Sequence, residues 1–158
     1  MITQNRLKEL LNYDPETGYF TRLMKRQKYQ VGEIAGTINK QGYRIIELYG
    51  RAYYASKLAW FYMTGEWAEN EIDHIDTNPG NDKWINLRKA THQENTQNRN
   101  GWGESRIKGV RAKGNRFEAR IRVSGNLIYL GLYKTKEEAL QVYNEAAQKF
   151  FKEFARIN

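Results

Sequence analysis

The sequence predicts an α+β fold in two domains, and three observations support this. Short helical segments with an apolar face alternate with short apolar or alternating strands along the whole chain. The polar stretch NRNGWGESR contains two glycines and predicts a linker at 99–106. Residues 1–104 carry 14 Lys and Arg against 13 Asp and Glu, whereas residues 105–158 carry 12 against 5. We therefore expect a nearly neutral domain at 1–98 and a strongly basic domain at 107–158.

The composition limits the classes of function. Hydrophobic residues make up 40% of the 158 positions, which is enough for a core, and there is no cysteine. Disulfides, structural zinc held by cysteines and thiol nucleophiles are therefore excluded. No stretch resembles a signal peptide or a membrane span, so we expect a cytoplasmic protein without membrane contact. The net charge of +8 predicts a polyanionic partner, most simply nucleic acid.

The first 65 residues predict a small α/β region. ITQNRLKELLNY has leucines at helical spacing, and DPETGYFTRLM reads as a turn that leads into a strand. GYRIIELYGRAYYA alternates and predicts a hairpin that turns at Tyr49-Gly50. SKLAWFYMTG predicts a buried helix that ends at Gly65.

The segment EIDHIDTNPGNDKWINLRKATHQEN, from Glu71 to Asn95, contains both histidines of the chain. EIDHID predicts a short strand, TNPGND a loop, and KWINLRKA a second strand or extended segment. THQENTQN predicts a helix, because Thr91 can cap it and Glu94 three residues later completes a capping box. The predicted order is strand, loop, strand, helix.

This segment supplies the groups that phosphodiester hydrolysis needs, namely a base and ligands for a cation. Asp73 offers a hard oxygen ligand suited to Mg²⁺, and His74 suits a general base. Neighbouring side chains of a strand point to opposite faces, so the strand should end or bend at this pair. Asn95 can offer an amide oxygen to the same ion, and Asn86 can brace either the loop or the histidine ring.

Three further residues of the segment leave alternatives open. Asn98, one turn beyond Asn95, is a second choice of metal ligand. His92 is expected to be a solvated helix residue rather than a ligand. Arg88 either contacts phosphate or pairs with a nearby carboxylate.

The motif Asp73-His74, Asn86-Leu87-Arg88 and Asn95 resembles the HNH endonuclease family, in its His-Asn-Asn variety found in phage and intron-encoded homing enzymes. The resemblance implies a ββα-metal core at 68–98. It implies that His74 is the general base, Asn86 a catalytic-site amide, and Asp73 and Asn95 the metal ligands. Ser56-Lys57 stands where the family usually has a His-Arg pair.

The basic C-terminal region predicts three strands packed on one helix. IKGVRAKGNRFEARIRVSGNLIYLGLY predicts the strands, with turns at Gly114-Asn115 and Gly125-Asn126. TKEEALQVYNEAAQKFFKEF predicts the helix, which begins with a capping box of Thr135 and Glu138. Its apolar face is expected to consist of Ala139, Tyr143, Ala146, Ala147 and Phe150.

The strand RFEARIRV alternates cleanly, so one sheet face should be apolar and the other should be rich in arginine and lysine. Like charges crowded across strands repel unless an anion lies against them. A small sheet can enter the major groove of DNA, where arginine reads guanine.

The motifs KGVRA, FEARIRV, YLGLYKTKEEAL and YNEAA, with the terminal FARIN, resemble the apetala-two/ethylene-response DNA-binding domain, which docks its sheet in the major groove. Phe117 stands where that family commonly has a tryptophan, so its base specificity does not carry over. The residues expected to contact DNA are Arg88, Arg111, Lys113, Arg116, Glu118, Arg120, Arg122 and Tyr129.

The two resemblances together imply a homing-type, phage-like endonuclease that nicks or cuts double-stranded DNA with Mg²⁺ or Mn²⁺. We expect neither structural zinc nor an organic cofactor, and a monomer or a DNA-dependent dimer. The alternative is a DNA-binding regulator with a degenerate nuclease domain. An RNA target is disfavoured because the A-form major groove is too narrow for a sheet.

Overall fold

The computed structural model describes residues 2–25, 28–98 and 108–155, without the side chains of 96–98 and 153. The chain divides into two compact units, Met1–Ala90 and Thr91–Asn158. The helix that the sequence assigned to the first domain therefore begins the second unit. The linker expected at 99–106 and the side chain of Asn98 lie outside the described part, so those two expectations stay predictions.

In its described residues, the first unit combines two α-helices with three small antiparallel sheets. The sheets pair β1 with β2, β4 with both β3 and β5, and β6 with β7. A short 3₁₀ turn precedes β7. The elements are α1 (Gln4–Leu10), β1 (Leu11–Tyr13), β2 (Phe20–Arg22), β3 (Thr37–Ile38), β4 (Arg44–Leu48), β5 (Arg51–Tyr54), α2 (Ala55–Thr64), β6 (Glu71–His74), the 3₁₀ turn (Trp84–Asn86) and β7 (Leu87–Ala90).

The predicted hairpin and buried helix are confirmed. The hairpin of β4 and β5 turns at Tyr49 and Gly50, both of which have positive φ. Helix α2 ends at Gly65, whose left-handed conformation lets its N–H donate to Phe61 O at 2.9 Å. The apolar residues of α1, α2 and the three sheets form one hydrophobic core.

Two boundaries in the first unit differ from the prediction. Helix α1 ends at Leu10, and Leu11–Tyr13 continues as β1, whereas the leucine pattern predicted helix up to Tyr13. Backbone pairing with β2 explains this, because tertiary pairing overrides a three-residue helical preference. The segment KWINLRKA opens as the 3₁₀ turn and becomes a strand only at Leu87.

The second unit contains a three-stranded antiparallel sheet against which a helix packs. The sheet order is β10-β9-β8. The second hairpin turns at Ser124 and Gly125, one residue earlier than predicted, and Asn126 already belongs to β10. The elements are α3 (His92–Asn98), β8 (Val110–Lys113), β9 (Arg116–Val123), β10 (Asn126–Tyr133), α4 (Lys136–Phe151) and a 3₁₀ turn (Lys152–Phe154).

Helix α4 begins with the predicted capping box, in which Thr135 and Glu138 bond each other's backbone N–H. The expectation that Phe150 lies on its buried face is wrong, because Phe150 is 42% exposed. Phe151 is buried instead, since residues four apart lie above one another on a helix. Ala146 is half-buried. The buried positions are Ala139, Tyr143, Ala147 and Phe151.

A β-bulge interrupts the pairing of β10 with β9. Tyr129 lies opposite Arg120, but Gly131 lies opposite Ala119, so one extra residue stands in β10. The bulge shifts the alternation of side chains by one, and Leu132 therefore lies opposite Glu118 on the same face as Tyr129. No helix within the described ranges has the length and apolar character to cross a bilayer.

Candidate functional site

The hairpin of β6 and β7 positions the residues that the sequence singled out. Asp73 lies directly opposite Arg88, and His74 lies opposite Leu87. As predicted, β6 ends at His74, whose carbonyl accepts from Thr77 N–H at 2.8 Å. Because neighbouring side chains of a strand alternate, the carboxylate of Asp73 and the imidazole of His74 leave opposite faces of this hairpin.

Asp73 forms a buried ion pair with Arg88. The Asp73 side chain is 4% exposed, and its Oδ2 lies 2.8 Å from Arg88 Nε and 2.7 Å from Arg88 Nη2. The structure thus favours the carboxylate-pairing alternative for Arg88. A phosphate contact from Arg88 stays a prediction.

His74 is buried at the end of β6 and pairs with an aspartate of the following loop. Its residue exposure is 5%, and its Nε2 lies 2.9 Å from Asp82 Oδ1. The rings of His74 and Tyr43 also lie close, with centroids 6.0 Å apart. Sequence analysis missed Asp82, because nothing in the spacing of an aspartate eight residues after a histidine signals contact across a loop.

Asn86 braces the loop that connects β6 to β7. Its Oδ1 accepts from Asp76 N–H at 3.0 Å. Its Nδ2 donates to Asp76 Oδ1 at 2.9 Å and to Asn81 O at 2.8 Å. These bonds correspond to the loop-bracing role predicted for Asn86. Its part in catalysis stays a prediction.

The loop carries a second carboxylate, Asp76, that organises the backbone. Burial acts to raise the pKa of Asp76, but hydrogen bonds from Asn81, Asn78 and Asn86 outweigh it, and the pKa is lowered. Asn81 Nδ2 donates to Asp76 Oδ2 at 2.6 Å, and Asn78 N–H donates to Asp76 Oδ1 at 2.9 Å. The ionised Asp76 carboxylate therefore stabilises, through these hydrogen bonds, the loop that contains Asp82.

Asn95, the second predicted metal ligand, lies in α3 of the second unit. The predicted capping box at its start is present: Glu94 N–H donates to Thr91 Oγ1 at 3.3 Å, and Thr91 N–H donates to Glu94 Oε2 at 2.8 Å. Asn95 N–H donates to Thr91 O at 3.0 Å, which places it in the first turn. His92 is exposed on this helix, as expected of a solvated residue.

The predicted ligands fit a divalent cation by their chemistry. A carboxylate and an amide are hard oxygen donors, and Mg²⁺ usually completes its shell with water and phosphate oxygens. In the described ranges no three His, Asp or Glu side chains cluster as a metal site would require. The predicted ligands are Asp73, which belongs to the first unit, and Asn95, which belongs to the second. Asp73 Oδ2 forms the ion pair with Arg88.

The basic face of the second unit is organised around one buried glutamate. The Glu118 side chain is 6% exposed and lies 3.0 Å from Arg111 Nη2, 3.3 Å from Lys113 Nζ and 3.7 Å from Arg120 Nη1. The hydrogen bond from Arg111 is the main reason that the pKa of Glu118 is lowered. The crowded cations thus have an internal counter-ion that sequence analysis counted only as a possible DNA contact.

The other predicted DNA contacts of this sheet are accessible. The side chains of Arg111 and Lys113 are 51% and 60% exposed despite their bonds to Glu118. Tyr129 is 61% exposed beside Arg120. Arg116 and Arg122 are exposed at the two ends of β9. One face of the sheet therefore presents cations, with a tyrosine among them.

Comparison with known proteins agrees with the resemblance carried by the motif from Asp73 to Asn95. Residues 53–97 match the family model for HNH endonucleases. An HNH endonuclease of Acanthamoeba polyphaga mimivirus, itself named as uncharacterised, is 39% identical over 88 residues. That match covers 55% of this chain and 46% of the mimivirus protein, so the chain spans less than half of its relative's length.

Both matched descriptions are of nucleases, which are hydrolases. The family match includes every position of the predicted quartet, Asp73, His74, Asn86 and Asn95. Residues 53–97 are therefore similar in sequence to HNH endonucleases.

Proposed function

We propose that this protein is a divalent-metal-dependent DNA endonuclease of the homing type, which hydrolyses phosphodiester bonds in double-stranded DNA. One observation carries the proposal. His74 lies at the end of β6, next to Asp73 and before the loop that Asn86 braces, and all three residues belong to the segment that matches HNH endonucleases.

The proposed roles follow from the chemistry of each side chain. His74 removes a proton from the attacking water, and Asn86 keeps the loop beneath it in shape. Asp73 and Asn95 bind Mg²⁺ or Mn²⁺, and the ion pair between Arg88 and Asp73 Oδ2 breaks when the cation binds. The cation, when bound, would stabilise negative charge on the phosphate and the leaving oxygen.

We further propose that the sheet of β8, β9 and β10 places the DNA, as an apetala-two-like module would. Residues 105–158 hold 12 of the 26 lysines and arginines of the chain, and the exposed cations lie on one face of the sheet. The first 104 residues are almost neutral, so the basic sheet would supply most of the affinity for phosphate.

Plasmid nicking tests the enzymatic proposal. Wild-type protein with MgCl₂ or MnCl₂ should convert supercoiled plasmid to the open circle, and EDTA should stop it. His74→Ala should lower the rate by roughly 10²–10⁴-fold, the usual contribution of a general base. Sequencing the cleaved ends of a genomic library tests the homing type, since a homing enzyme should cut at one long, recurrent site.

A salt titration tests the role of the sheet. Arg116→Ala should weaken DNA binding and reduce the slope of log Kd against log salt by about one phosphate contact. Lys149→Ala, which removes an exposed charge from α4 instead, is the matched control and should leave the slope unchanged. Equal slopes for the two variants would contradict DNA placement by the sheet.

A second candidate function is a DNA-binding regulator whose nuclease site is closed. Two observations favour it: His74 is 5% exposed, and Arg88 occupies Asp73 Oδ2. This candidate predicts that wild-type protein and His74→Ala bind DNA equally and that both leave supercoiled plasmid and the genomic library uncut.

A further inference from the structure

Asp82 is the acidic partner of His74, and it is more deeply buried than a loop carboxylate usually is. The residue is 3% exposed, and its Oδ1 lies 2.9 Å from His74 Nε2. Its Oδ2 is buried and has no hydrogen-bond donor within the described part of the chain. A buried carboxylate is costly unless it is paired, so the bond to His74 is the contact that compensates Asp82.

The N-terminal residues hold the backbone of Asp82 in place. Tyr13 Oη donates to Asp82 O at 2.7 Å, across 69 positions of sequence. Trp84 N–H donates to Pro15 O at 3.0 Å. A Cβ on Gly18 would stand 2.4 Å from the carbonyl carbon of Asp82, so only glycine allows this approach. The β1–β2 turn therefore fits closely against the loop at Asp82.

The β3–β4 turn supports the same loop from another position. A Cβ on Gly42 would stand 2.9 Å from Pro79 Cγ, and Gly80 packs near Gly42 O. Tyr43, next to that glycine, brings its ring to His74. Two turns of the N-terminal region thus contact the loop, one near Pro79 and the other at Asp82, and Tyr43 lies against the histidine itself.

We propose that Asp82 is the positioning residue of His74: its Oδ1 accepts the Nε2–H proton and so fixes the neutral ring in the tautomer whose basic nitrogen is Nδ1. A carboxylate can only accept, so the imidazole nitrogen facing it must carry the hydrogen. The bond also sets the orientation of the ring, as a carboxylate does when it is hydrogen-bonded to one nitrogen of a catalytic histidine. Asp82 does not touch the substrate.

The expected effect on kcat rests on the proposed nuclease function, whereas the expected tautomer of His74 does not. The chain has only two histidines, so ¹⁵N spectra of the imidazole nitrogens are simple, and His92→Gln assigns His74. At a pH at which the ring is neutral, the wild-type spectrum should show His74 protonated on Nε2. A ring protonated mainly on Nδ1 would overturn the proposal without any variant.

Two variants test the contribution of the carboxylate. Asp82→Asn keeps the shape but can bond either tautomer, so the Nε2–H preference should decline; Asp82→Ala removes the acceptor altogether. Where the wild type cuts plasmid, both should lower kcat by about 10- to 100-fold, part of what a general base contributes, and leave KM for DNA unchanged. Glu47→Gln, which removes an exposed carboxylate from β4, is the matched control and should change neither kcat nor the spectrum.

The outcomes separate the two proposals. If wild-type protein fails to cut DNA while His74 is protonated on Nε2, the nuclease proposal fails and the positioning of His74 by Asp82 stands. If wild-type protein cuts DNA, and folded Asp82→Asn keeps both the wild-type kcat and the wild-type tautomer, the positioning proposal is overturned and the nuclease stands. Melting curves establish which variants are folded.

Discussion

Arg88 Nη2 lies 2.7 Å from Asp73 Oδ2, across the backbone ladder that joins β6 to β7. Arg88 Nε bonds the same oxygen, so the guanidinium approaches the carboxylate through two nitrogens. Both side chains are largely removed from water, at 16% and 4% exposed. The ion pair therefore offsets part of the hydration that each charge loses on burial.

Arg88→Ala should destabilise the first unit because it removes the guanidinium that pairs with the buried Asp73 carboxylate. We expect the free energy of unfolding in urea to fall by about 3 kcal/mol, the lower end for breaking a buried pair. Arg6→Ala is the control, since Arg6 pairs with Glu9 at the surface, where the side chains are 44% and 58% exposed. Its effect should be much smaller, and similar losses for the two variants would show that the Asp73 pair is not buried in solution.

Gly18→Ala should destabilise the protein more than a glycine replacement of the same backbone conformation elsewhere. Gly18 has φ of +76°, and a Cβ there would stand 2.4 Å from backbone atoms of Asp82 and Lys83. Gly50 has φ of +73° and nothing within 4 Å of the equivalent position. Gly50→Ala should cost about 1–2 kcal/mol from the left-handed conformation alone. Gly18→Ala should cost roughly 1–3 kcal/mol more from the clash, measured by urea unfolding.

The Asp76 carboxylate should make stability depend on acid pH. Because its folded pKa is lowered below the ordinary 3.8, the stabilisation is present above that value and is lost as pH falls through the lower, folded pKa. Urea unfolding of the wild type from pH 6 down to pH 2 should therefore show a decline. Asp76→Asn should be less stable at pH 6 and should decline less steeply with acid. Parallel curves would show that Asp76 does not contribute to the slope.

Glu118→Gln should make the stability of the second unit sensitive to salt. Without the glutamate charge, Arg111, Lys113 and Arg120 repel one another across the strands. The melting temperature should fall at low ionic strength and recover as salt screens the repulsion. Glu145→Gln, on the exposed side of α4, removes one negative charge elsewhere and should show little change. A salt-independent difference between wild type and Glu118→Gln would contradict this explanation.

Local signals in the sequence predicted local structure well. The capping boxes at Thr91 and Thr135 and the turn at Gly65 were predictable because their partners lie within four residues. The pairing of Asp73 with Arg88 was foreseen only as an alternative, since it depends on the register of two strands. Residue spacing alone could not choose between phosphate and carboxylate for that arginine.

Contacts between distant segments were not predictable in the same way. Tyr13 reaches Asp82 across 69 residues, and Asp82 reaches His74 across a loop whose path the sequence does not specify. Phe150 and Phe151 are chemically identical neighbours, and only the packing of α4 on its sheet decides which one is buried.

The extra residue in β10 has a consequence for how this surface can evolve. Tyr129 and Leu132 share a face only because the strand gains a position between them. Deleting Leu130 would restore regular pairing and leave Tyr129 and Leu132 on that same face, because Leu132 already lies opposite Glu118. The extra residue can therefore be lost without exchanging side chains between core and surface, whereas the loss of a regularly paired residue of β10 would turn the rest of the strand over.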